Sequence, residues 1–415
     1  MGAASATDPL PQRVDVAVIG GGITGLCAAR ALAKRGIRVA VLETHTIGWG
    51  ASSRNGGMVL TGLKLGVDTL IARYGLERAR RLYQASVDSV EIVERLVREE
   101  QIECHFKRCG HLALASKPAH FKHFARGAEL LARQFACSVR LVTRAELRDE
   151  IGSDAYFGGV VDELSGGINP AQYVAGLAKA ARRAGATLHE DSCVQRITRQ
   201  GSGWQLKTKS GALTAGDILV ATSGYTGSVT PAVCRKLLPI GSYVIATEPL
   251  TEALAHQISP RSRMMYDSRH FLQYFRLTPD RRLLFGGRAR FVPETEATIR
   301  GSAAELREGM LKVYPQLHSV RVDYAWGGTL DFTYDTMPHL GKVDDYHFAL
   351  GYAGHGVALA SLLGTTAGET LGTGALEASP FALLPFRGAP LGLHQGRDWF
   401  LGLAALWYKF LDRVE

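Results

Sequence analysis

The sequence has no run of about 18 consecutive apolar residues, so we expect no transmembrane helix. Its opening residues, 1–13, also lack an apolar segment, and they predict a disordered leader rather than a secretion signal. The cysteines have no spacing typical of metal ligands, and we expect no metal site. Without a secretion signal, the thiols are expected to be reduced and the protein cytoplasmic. The six cysteines are Cys27, Cys104, Cys109, Cys137, Cys193 and Cys234.

Negative charge is the scarcer sign in this chain. Lys and Arg total 48 against 39 Asp and Glu, which gives a net charge of +9. The arginines are spread thinly, with only short clusters such as 78–81, so we expect no nucleic-acid partner. A positive field that attracts an anionic cofactor or substrate explains the charge equally well. At 415 residues the chain is too long for one simple core, which predicts two domains.

The clearest motif lies near the start of the chain. A nearly all-apolar strand at 14–19 runs into GGGITG, an alanine-rich helix and a second strand that ends at Glu43. This order of elements is typical of a dinucleotide-binding unit. Gly20 permits the tight turn, Gly22 lets a pyrophosphate approach the backbone, and Gly25 lets helix and strand pack closely. The helix N-terminus attracts the phosphates, and Glu43 is expected to accept hydrogen bonds from a ribose. The motif does not distinguish FAD from NAD.

The stretch GWGASSRNGG, 48–57, follows that unit and suits neither a strand nor a helix. Its glycines allow close approach of a ligand, and Ser52, Ser53 and Asn55 offer hydrogen bonds to phosphate and ribityl oxygens. FAD is longer than NAD, and a second backbone segment often wraps it. The loop therefore favours FAD, with a solvated surface loop as the alternative.

The pattern G-x-G-A-S-x-R-N-G-G in this loop resembles the FAD-dependent amino-acid and amine oxidoreductases of the D-amino-acid-oxidase type, above all their γ-glutamylputrescine oxidoreductase-like members. The resemblance covers roughly residues 14–371. In such relatives the loop runs along the cofactor up to the flavin. The resemblance therefore assigns cofactor contact to Ser52, Ser53, Asn55, Gly56 and Gly57.

A second glycine-rich turn, AGHG, lies between a strand that begins at His347 and a helix. A helix N-terminus carries about half a positive charge. The resemblance places this one at the pyrimidine end of the flavin, where it would stabilise negative charge on reduction, and assigns cofactor contact to Gly354 and Gly356. His355 is a candidate catalytic residue; alternatively it hydrogen-bonds the backbone. The resemblance also implies that the backbone at Val194 contacts adenine.

The run 326–341 matches the W-x-G-…-D-x-x-P-x-x-G pattern of the resembled family. Relatives that oxidise free amino acids carry an arginine at the Leu330 position, where it binds the substrate carboxylate in a bidentate pair. Leucine cannot replace it, which favours an amine without an adjacent carboxylate. Arg276, Arg288 or Arg290 could supply such an anchor from elsewhere.

Two other side chains are candidates for the substrate site. Tyr274, on a predicted strand at 272–277, faces either the flavin or the core, and is the second candidate catalytic residue. Asp331 either holds an ammonium group or shapes a turn.

Two absences bear on the flavin. Sarcosine-oxidase-like relatives attach flavin through a cysteine, but no cysteine follows Cys234, so we expect non-covalent FAD. They also use a lysine of the substrate sheet to help reduced flavin react with oxygen. No lysine lies between Lys236 and Lys312, which leaves oxidase and dehydrogenase both open.

These patterns predict an α/β fold: a discontinuous Rossmann-like FAD-binding domain, and an α+β substrate domain with a mainly antiparallel sheet. The hydrophobic stretch at 399–411 is expected to pack on the protein body, with peripheral membrane contact as the alternative. The predicted segments are 14–84, 150–235 and 325–375 for the FAD-binding domain, 85–149 and 236–324 for the substrate domain, and 376–415 for the tail.

The predicted function is oxidation of the C–N bond of an amine by hydride transfer to flavin N5. The resemblance suggests an amine similar to γ-glutamylputrescine. The imine product then hydrolyses, and the protein contributes binding, orientation and charge stabilisation. A secondary amino acid of the proline, pipecolate or sarcosine type is the first alternative. A protein that binds FAD without amine redox activity is the second. The partner is thus a small molecule, and the sequence leaves the oligomeric state open.

Overall fold

The structure, a computed structural model, describes residues 9–290, 294–373 and 375–388, with the side chains of 288–290 left out. The start of the leader and the stretch 399–411 lie outside the described residues, as do the side chains of Arg288 and Arg290. The strands are β1 (Arg13–Ile19), β2 (Val39–Leu42), β3 (Met58–Val59), β4 (His111–Leu114), β5 (Arg140–Thr143), β6 (Gly158–Asp162), β7 (Gly166–Gly167), β8 (Thr187–His189), β9 (Arg196–Gln200), β10 (Gly203–Thr208), β11 (Gly211–Val220), β12 (Leu237–Thr247), β13 (Met264–Asp267), β14 (Tyr274–Leu277), β15 (Leu283–Arg290), β16 (Val322–Thr333), β17 (His339–Val343) and β18 (Tyr346–Leu350). The helices are α1 (Ile23–Lys34), α2 (Ala51–Arg54), α3 (Val67–Tyr74), α4 (Leu76–Glu99), α5 (Pro118–Phe135), α6 (Pro170–Ala184), α7 (Pro231–Cys234), α8 (Glu252–Ile258), α9 (Glu296–Val313) and α10 (Gly356–Thr370).

The first sheet has the order β17-β18-β11-β1-β2-β8 and is parallel apart from β17; β10 and β9 extend it from β11 as an antiparallel ribbon. Its central strands are buried on both faces, as their apolar runs predict. Val16 and Val18 join the core under α1, α4, α6 and α10, while Ala17 and Ile19 join the core on the opposite face. This is the predicted Rossmann-like arrangement.

Helices α1 and α10 pack against each other through glycine. A Cβ atom added at Gly364 would lie 2.3 Å from the carbonyl oxygen of Thr24, and one at Gly368 would lie 2.5 Å from that of Ala28. The contacts advance in the same direction along both helices, so the helices run parallel. Any larger residue would separate them.

The second sheet has the order β16-β12-β15-β14-β13-β4-β6-β5 and is antiparallel except for the β13–β4 pair. Side chains alternate across it, as the period of a strand requires. One face carries Tyr243, Phe275 and Phe285 into a core shared with α9. The opposite face carries Tyr266, Tyr274 and Arg276 among others; we call it the loop face, because Tyr274 packs on the GASSRNGG loop. The predicted fold class is confirmed.

Two segments lie elsewhere than the predicted domain boundaries place them. Helix α4, most of it assigned by sequence to the substrate domain, sends Val90, Val93 and Leu96 into the core beneath the first sheet. Strand β6, assigned to the FAD-binding domain, pairs with β4 and β5 in the second sheet. The apolar stripe of a helix shows that it has a buried face but not which core buries it.

The described part of the C-terminal segment, 375–388, packs on the first domain. Phe381 and Leu384 are buried in its core, and the ring of Phe386 stacks on Phe348 at a centroid distance of 4.6 Å. Within the described residues, no helix combines the length and the apolar character needed to cross a bilayer.

Candidate functional site

The turn between β1 and α1 leaves no space for side chains. Gly20 has a φ of +109°, and a Cβ atom there would lie 2.6 Å from the carbonyl oxygen of Ala221. A Cβ atom at Gly25 would lie 2.0 Å from the carbonyl oxygen of Gly20. The close contact between strand and helix therefore depends on these glycines.

The N-terminus of α1 is open to an anion. Gly22 at its N-cap position has no side chain to cap it, and its first turn has no acidic residue. The hydroxyl oxygen of Ser52 accepts a hydrogen bond from Ile23 N–H at 3.0 Å, so the hydroxyl hydrogen can still be donated to a phosphate. A Cβ atom at Gly22 would lie 2.6 Å from that oxygen. Helix dipole, free amides and hydroxyl together suit a pyrophosphate.

Glu43 shapes the adenosine end of the proposed site. Its carboxylate accepts hydrogen bonds from Gly21 N–H at 2.8 Å and His45 N–H at 3.0 Å. Its carbonyl oxygen accepts one from Ser192 N–H at 2.7 Å, which holds the loop of buried Val194 against it. The structure thus brings Glu43 and Val194 together, and their contacts with ribose and adenine remain proposals.

The loop at 48–57 contains a single helical turn, α2, which the sequence did not predict. The side-chain amide of Asn55 donates to the carbonyl oxygens of Ala51 at 3.0 Å and Ser52 at 2.9 Å. Its oxygen accepts a hydrogen bond from Gly57 N–H at 2.8 Å. Asn55 therefore closes this turn with its own side chain, and its predicted contact with the cofactor remains a proposal.

Much of the glycine content of this loop is explained by contacts within the protein. A Cβ atom at Gly56 would lie 2.8 Å from the ring of Tyr274. Gly57 has a φ of +69°, and a Cβ atom there would lie 2.1 Å from the carbonyl oxygen of Ile168. Beside Gly48, a Cβ atom would lie 2.7 Å from the hydroxyl of Ser53. The loop is tightly packed rather than permissive.

Asp331 holds the turn that precedes α10. Its carboxylate accepts hydrogen bonds from Gly351 N–H at 2.6 Å and Tyr352 N–H at 3.3 Å, and its carbonyl oxygen accepts one from Ala353 N–H. Burial raises the pKa of this carboxyl group. Asp331 is therefore a turn residue, as one of the two interpretations had it.

His355 lies at the N-terminus of α10, between Gly354, with a φ of +92°, and Gly356. Its Nδ1 atom is buried and has no hydrogen-bond partner among the described residues. Burial, followed by the positive charge of Lys64, lowers its pKa to about 4. The imidazole is therefore neutral at physiological pH, although a hydrogen bond with the backbone of Ala353 acts to raise its pKa.

Lys64 was missed by sequence reasoning. Its side chain is exposed, yet burial lowers its pKa, and it makes no hydrogen bond or ion pair with the described part of the chain. Its charge acts on His355, which places it near the N-terminus of α10. Lys64 lies close to the GASSRNGG loop in sequence, which was the one available signal.

The two helix N-termini are spaced along one direction. Gly356 lies eight residues before Gly364, and Ile23 lies one residue before Thr24, which Gly364 touches. Helix α10 therefore begins seven residues, roughly 10 Å, further out than α1. A ligand with a phosphate at α1 and an electron-poor ring at α10 fits this offset, with the GASSRNGG loop between.

Tyr274 faces the loop rather than the core. Its ring lies between Gly56 and Gly286, where a Cβ atom would lie 2.2 Å from the ring, and its hydroxyl is 3.5 Å from that of Ser242. Burial raises its pKa, so the phenol is neutral.

Arg276, on the same face, is buried and already engaged. It donates hydrogen bonds to the carbonyl oxygens of Gly56 at 2.5 Å and Ile168 at 2.8 Å. Its guanidinium therefore ties the second sheet to the loop.

The site has the parts that FAD requires: two open helix N-termini, a hydroxyl beside one of them and a neutral imidazole at the other. Among the described residues, no group of three or more His, Cys, Asp or Glu side chains is placed to hold a metal ion.

Comparison with known proteins agrees with this geometry. Residues 15–370 match the family model described as DAO, FAD dependent oxidoreductase. The chain belongs to this family. Its fold resembles that of glycine oxidase from Geobacillus kaustophilus, with a TM-score of 0.73, 24% identity and coverage of 91% of this chain and 100% of that one.

Two curated relatives are similar over nearly the whole DAO-family chain. The probable oxidoreductase OrdL of Haemophilus influenzae is 34% identical over 98% of this chain and 94% of its own length. The gamma-glutamylputrescine oxidoreductase of Escherichia coli is 33% identical over 96% and 93%. The predictions of an FAD-dependent oxidoreductase and of its family are confirmed.

Proposed function

We propose that this enzyme oxidises the C–N bond of an amine whose reacting carbon carries no carboxylate, with a γ-glutamylated diamine such as γ-glutamylputrescine as the leading candidate. The observation that carries this proposal is the make-up of the loop face. Leu330, which stands where amino-acid-oxidising relatives have an arginine, pairs with Ile240 on the neighbouring strand. Arg276 already binds two carbonyl groups.

The loop face offers aromatic side chains instead of a carboxylate anchor. Tyr266 pairs directly with Tyr274 across β13 and β14. Trp326 packs beside Tyr274 and donates its ring N–H to the carbonyl oxygen of Arg54 at 2.8 Å. Aromatic faces attract ammonium groups, with about 0.5–2 kcal/mol for each contact. A cationic amine therefore suits this surface.

Lys64 supports a substrate with a distant carboxylate. Its ammonium group makes no hydrogen bond or ion pair with the described residues and acts electrostatically on His355. A γ-glutamyl group ends in an α-carboxylate that lies well away from the reacting amine. Lys64, whose charge acts at the N-terminus of α10, is our candidate to pair with it.

The chain's residues bind, orient and neutralise charge in this reaction. When bound, FAD supplies the two-electron oxidant that takes a hydride from the carbon next to nitrogen. The N-terminus of α10 would stabilise the negative charge of the reduced flavin. His355 is neutral and can donate or accept a hydrogen bond at the same place. The resulting substrate imine hydrolyses in water.

Similarity to the gamma-glutamylputrescine oxidoreductase of Escherichia coli supports the finer substrate assignment. The decisive experiment mixes the FAD-loaded enzyme anaerobically with γ-glutamylputrescine, putrescine, proline, pipecolate and sarcosine, and follows loss of flavin colour. We expect γ-glutamylputrescine to bleach the flavin fastest. Faster bleaching by proline, pipecolate or sarcosine would favour a secondary amino acid, and no bleaching by any compound would contradict amine oxidation.

Lys64→Met tests the carboxylate contact. We expect kcat/KM for γ-glutamylputrescine to fall about 10-fold or more, the loss of one charge-assisted hydrogen bond, while that for putrescine changes little. Lys64→Arg should restore most of the loss. An equal fall for both substrates would argue against the contact.

A further inference from the structure

A chain of hydrogen bonds runs along the loop face, from a carboxylate to Tyr266. Thr61 donates its hydroxyl hydrogen to Asp162 at 2.5 Å, and the hydroxyl of Ser165 lies 3.4 Å from that of Thr61. Nδ1 of His111 lies 2.8 Å from the hydroxyl of Ser165, and its Nε2 lies 3.3 Å from the hydroxyl of Tyr266. Asp162, Ser165, Thr61 and His111 are buried, whereas Tyr266 is only half-buried.

One pattern of donors satisfies all four contacts. Because Thr61 gives its hydrogen to Asp162, Ser165 must supply the hydrogen between the two hydroxyls. Nδ1–H of His111 must then donate to Ser165, which leaves Nε2 as the acceptor for Tyr266. The phenolic hydrogen of Tyr266 thus points into the chain. Its oxygen lone pairs are left for a donor above the loop face.

Tyr266 lies where a substrate would be. It pairs with Tyr274, whose ring touches Gly56 of the GASSRNGG loop, and its own ring stacks on that of His111 at 5.4 Å. Met264, two residues before Tyr266 and on the same face of β13, contacts Gly167 on β7. The loop face of β13 is therefore turned towards β7.

We propose that Tyr266 binds the amino group of the substrate, and that His111 takes up through Tyr266 the proton that an ammonium substrate must lose before oxidation. This inference rests on the proposed amine oxidation. One N–H bond of the ammonium breaks as a new O–H bond forms on Tyr266. The original O–H bond of Tyr266 breaks as Nε2–H forms on His111. The products are a neutral amine and an imidazolium, with no change in oxidation state.

The surroundings of His111 favour an imidazole that is neutral before it accepts the substrate proton. Burial lowers its pKa, the carboxylate of Asp162 raises it, and Arg263 lowers it. Arg263 is itself paired with Glu150 at 2.7 Å and Glu163 at 2.6 Å, which limits its repulsion of an imidazolium. Other titratable groups nearby are Tyr266, which burial keeps neutral, His355, whose pKa His111 helps to lower, and Tyr83, whose pKa Asp162 and Tyr266 help to raise.

The test is the pH dependence of kcat/KM for the FAD-loaded enzyme with the best amine. His111→Gln keeps a side chain that can hydrogen-bond Tyr266 but cannot take up a proton. We expect its kcat/KM to fall by about 10²- to 10⁴-fold at neutral pH, the usual contribution of a general base. It should then rise tenfold per pH unit and approach wild type as pH nears the pKa of the free amine, because only neutral amine reacts. Tyr266→Phe should show the same profile.

Exposed Tyr324 supplies the control: it lies on β16, four strands away from the β13 strand of Tyr266, and Tyr324→Phe should match wild type at every pH. FAD content and melting temperature of each variant separate misfolding from lost proton transfer. Profiles of His111→Gln and Tyr266→Phe that run parallel to wild type would overturn the relay. Failure of wild type to react with any amine would instead overturn the proposed function, and the relay with it.

Discussion

Arg276 shows how much one side chain can hold in place. Its buried guanidinium joins β14 to the carbonyl oxygens of Gly56 and Ile168, and burial lowers its pKa to about 10, so it stays charged at neutral pH. Arg276→Met would leave both carbonyl groups buried without a partner. We expect a loss of about 3 kcal/mol in the free energy of unfolding, together with weaker FAD binding.

Urea unfolding and FAD titration measure both effects. Arg38→Met is the matched control, because Arg38 pairs with Asp15 at 2.6 Å with 62% of its side chain exposed. Exposed pairs contribute less than about 1 kcal/mol. Equal losses in the two variants would show that Arg276 is not a structural tie.

At the scale of elements, the contact between α1 and α10 is made by glycine. Gly364→Ala would place a methyl group 2.3 Å from the carbonyl oxygen of Thr24. We expect it to lower the free energy of unfolding by about 1–3 kcal/mol, the usual effect of overpacking, and to weaken FAD binding because both N-termini shift. Gly127→Ala in α5 meets no atom within 4 Å and should be neutral or stabilising by up to about 1 kcal/mol. Thermal melts of both variants with and without FAD compare them, and similar melts would contradict the prediction.

The ends of α1, α4 and α6 meet at Glu100. It accepts hydrogen bonds from Arg30 at 2.6 Å and Arg183 at 2.5 Å and pairs with Lys34 at 3.2 Å. Burial raises its pKa, but these partners outweigh burial and lower it from 4.5 to about 2. A carboxyl group with a lowered folded-state pKa stabilises the protein above its unfolded pKa and loses that effect as pH falls.

We therefore expect Glu100 to contribute about 3 kcal/mol near neutral pH, lost between roughly pH 5 and pH 2. Denaturant unfolding of wild type and Glu100→Gln across this range measures the difference, which should shrink as pH falls. Glu308→Gln removes an exposed pair with Lys312 and serves as control. A difference between wild type and Glu100→Gln that stays constant with pH would contradict the assignment.

Elements with a complete local signal were predictable from the sequence. The β1–α1–β2 unit lies where its apolar strands and its glycine motif place it. Strand β13 was missed because its four residues, MMYD, are too few for alternation to stand out. Missing β13 hid Tyr266, and no pattern could join it to His111, 155 positions away in sequence. The site depends on such long-range pairs, which the register of the sheet determines.

For the whole molecule, the main prediction concerns how FAD is held. No cysteine follows Cys234, which removes the attachment point used by sarcosine-oxidase-like relatives. We expect acid precipitation of the yellow enzyme to give a white pellet and to release FAD into the supernatant, where its absorbance matches the protein concentration. A pellet that remains yellow would show a covalent bond. Denaturing the enzyme by heat at neutral pH should release FAD in the same way and gives an independent measurement.

The seven-residue stagger between α1 and α10 sets the separation between the proposed phosphate and flavin-ring positions. FMN carries the flavin ring and one phosphate but no adenosine, and AMP carries the other phosphate without the ring, so each fragment would make only part of the contacts that FAD makes. Joined in a single molecule, the second half binds at the high effective concentration set by the first. The enzyme should therefore bind FMN more weakly than FAD although the flavin ring is the same, and FMN and AMP, which together carry the two phosphates of FAD, should bind the empty protein side by side.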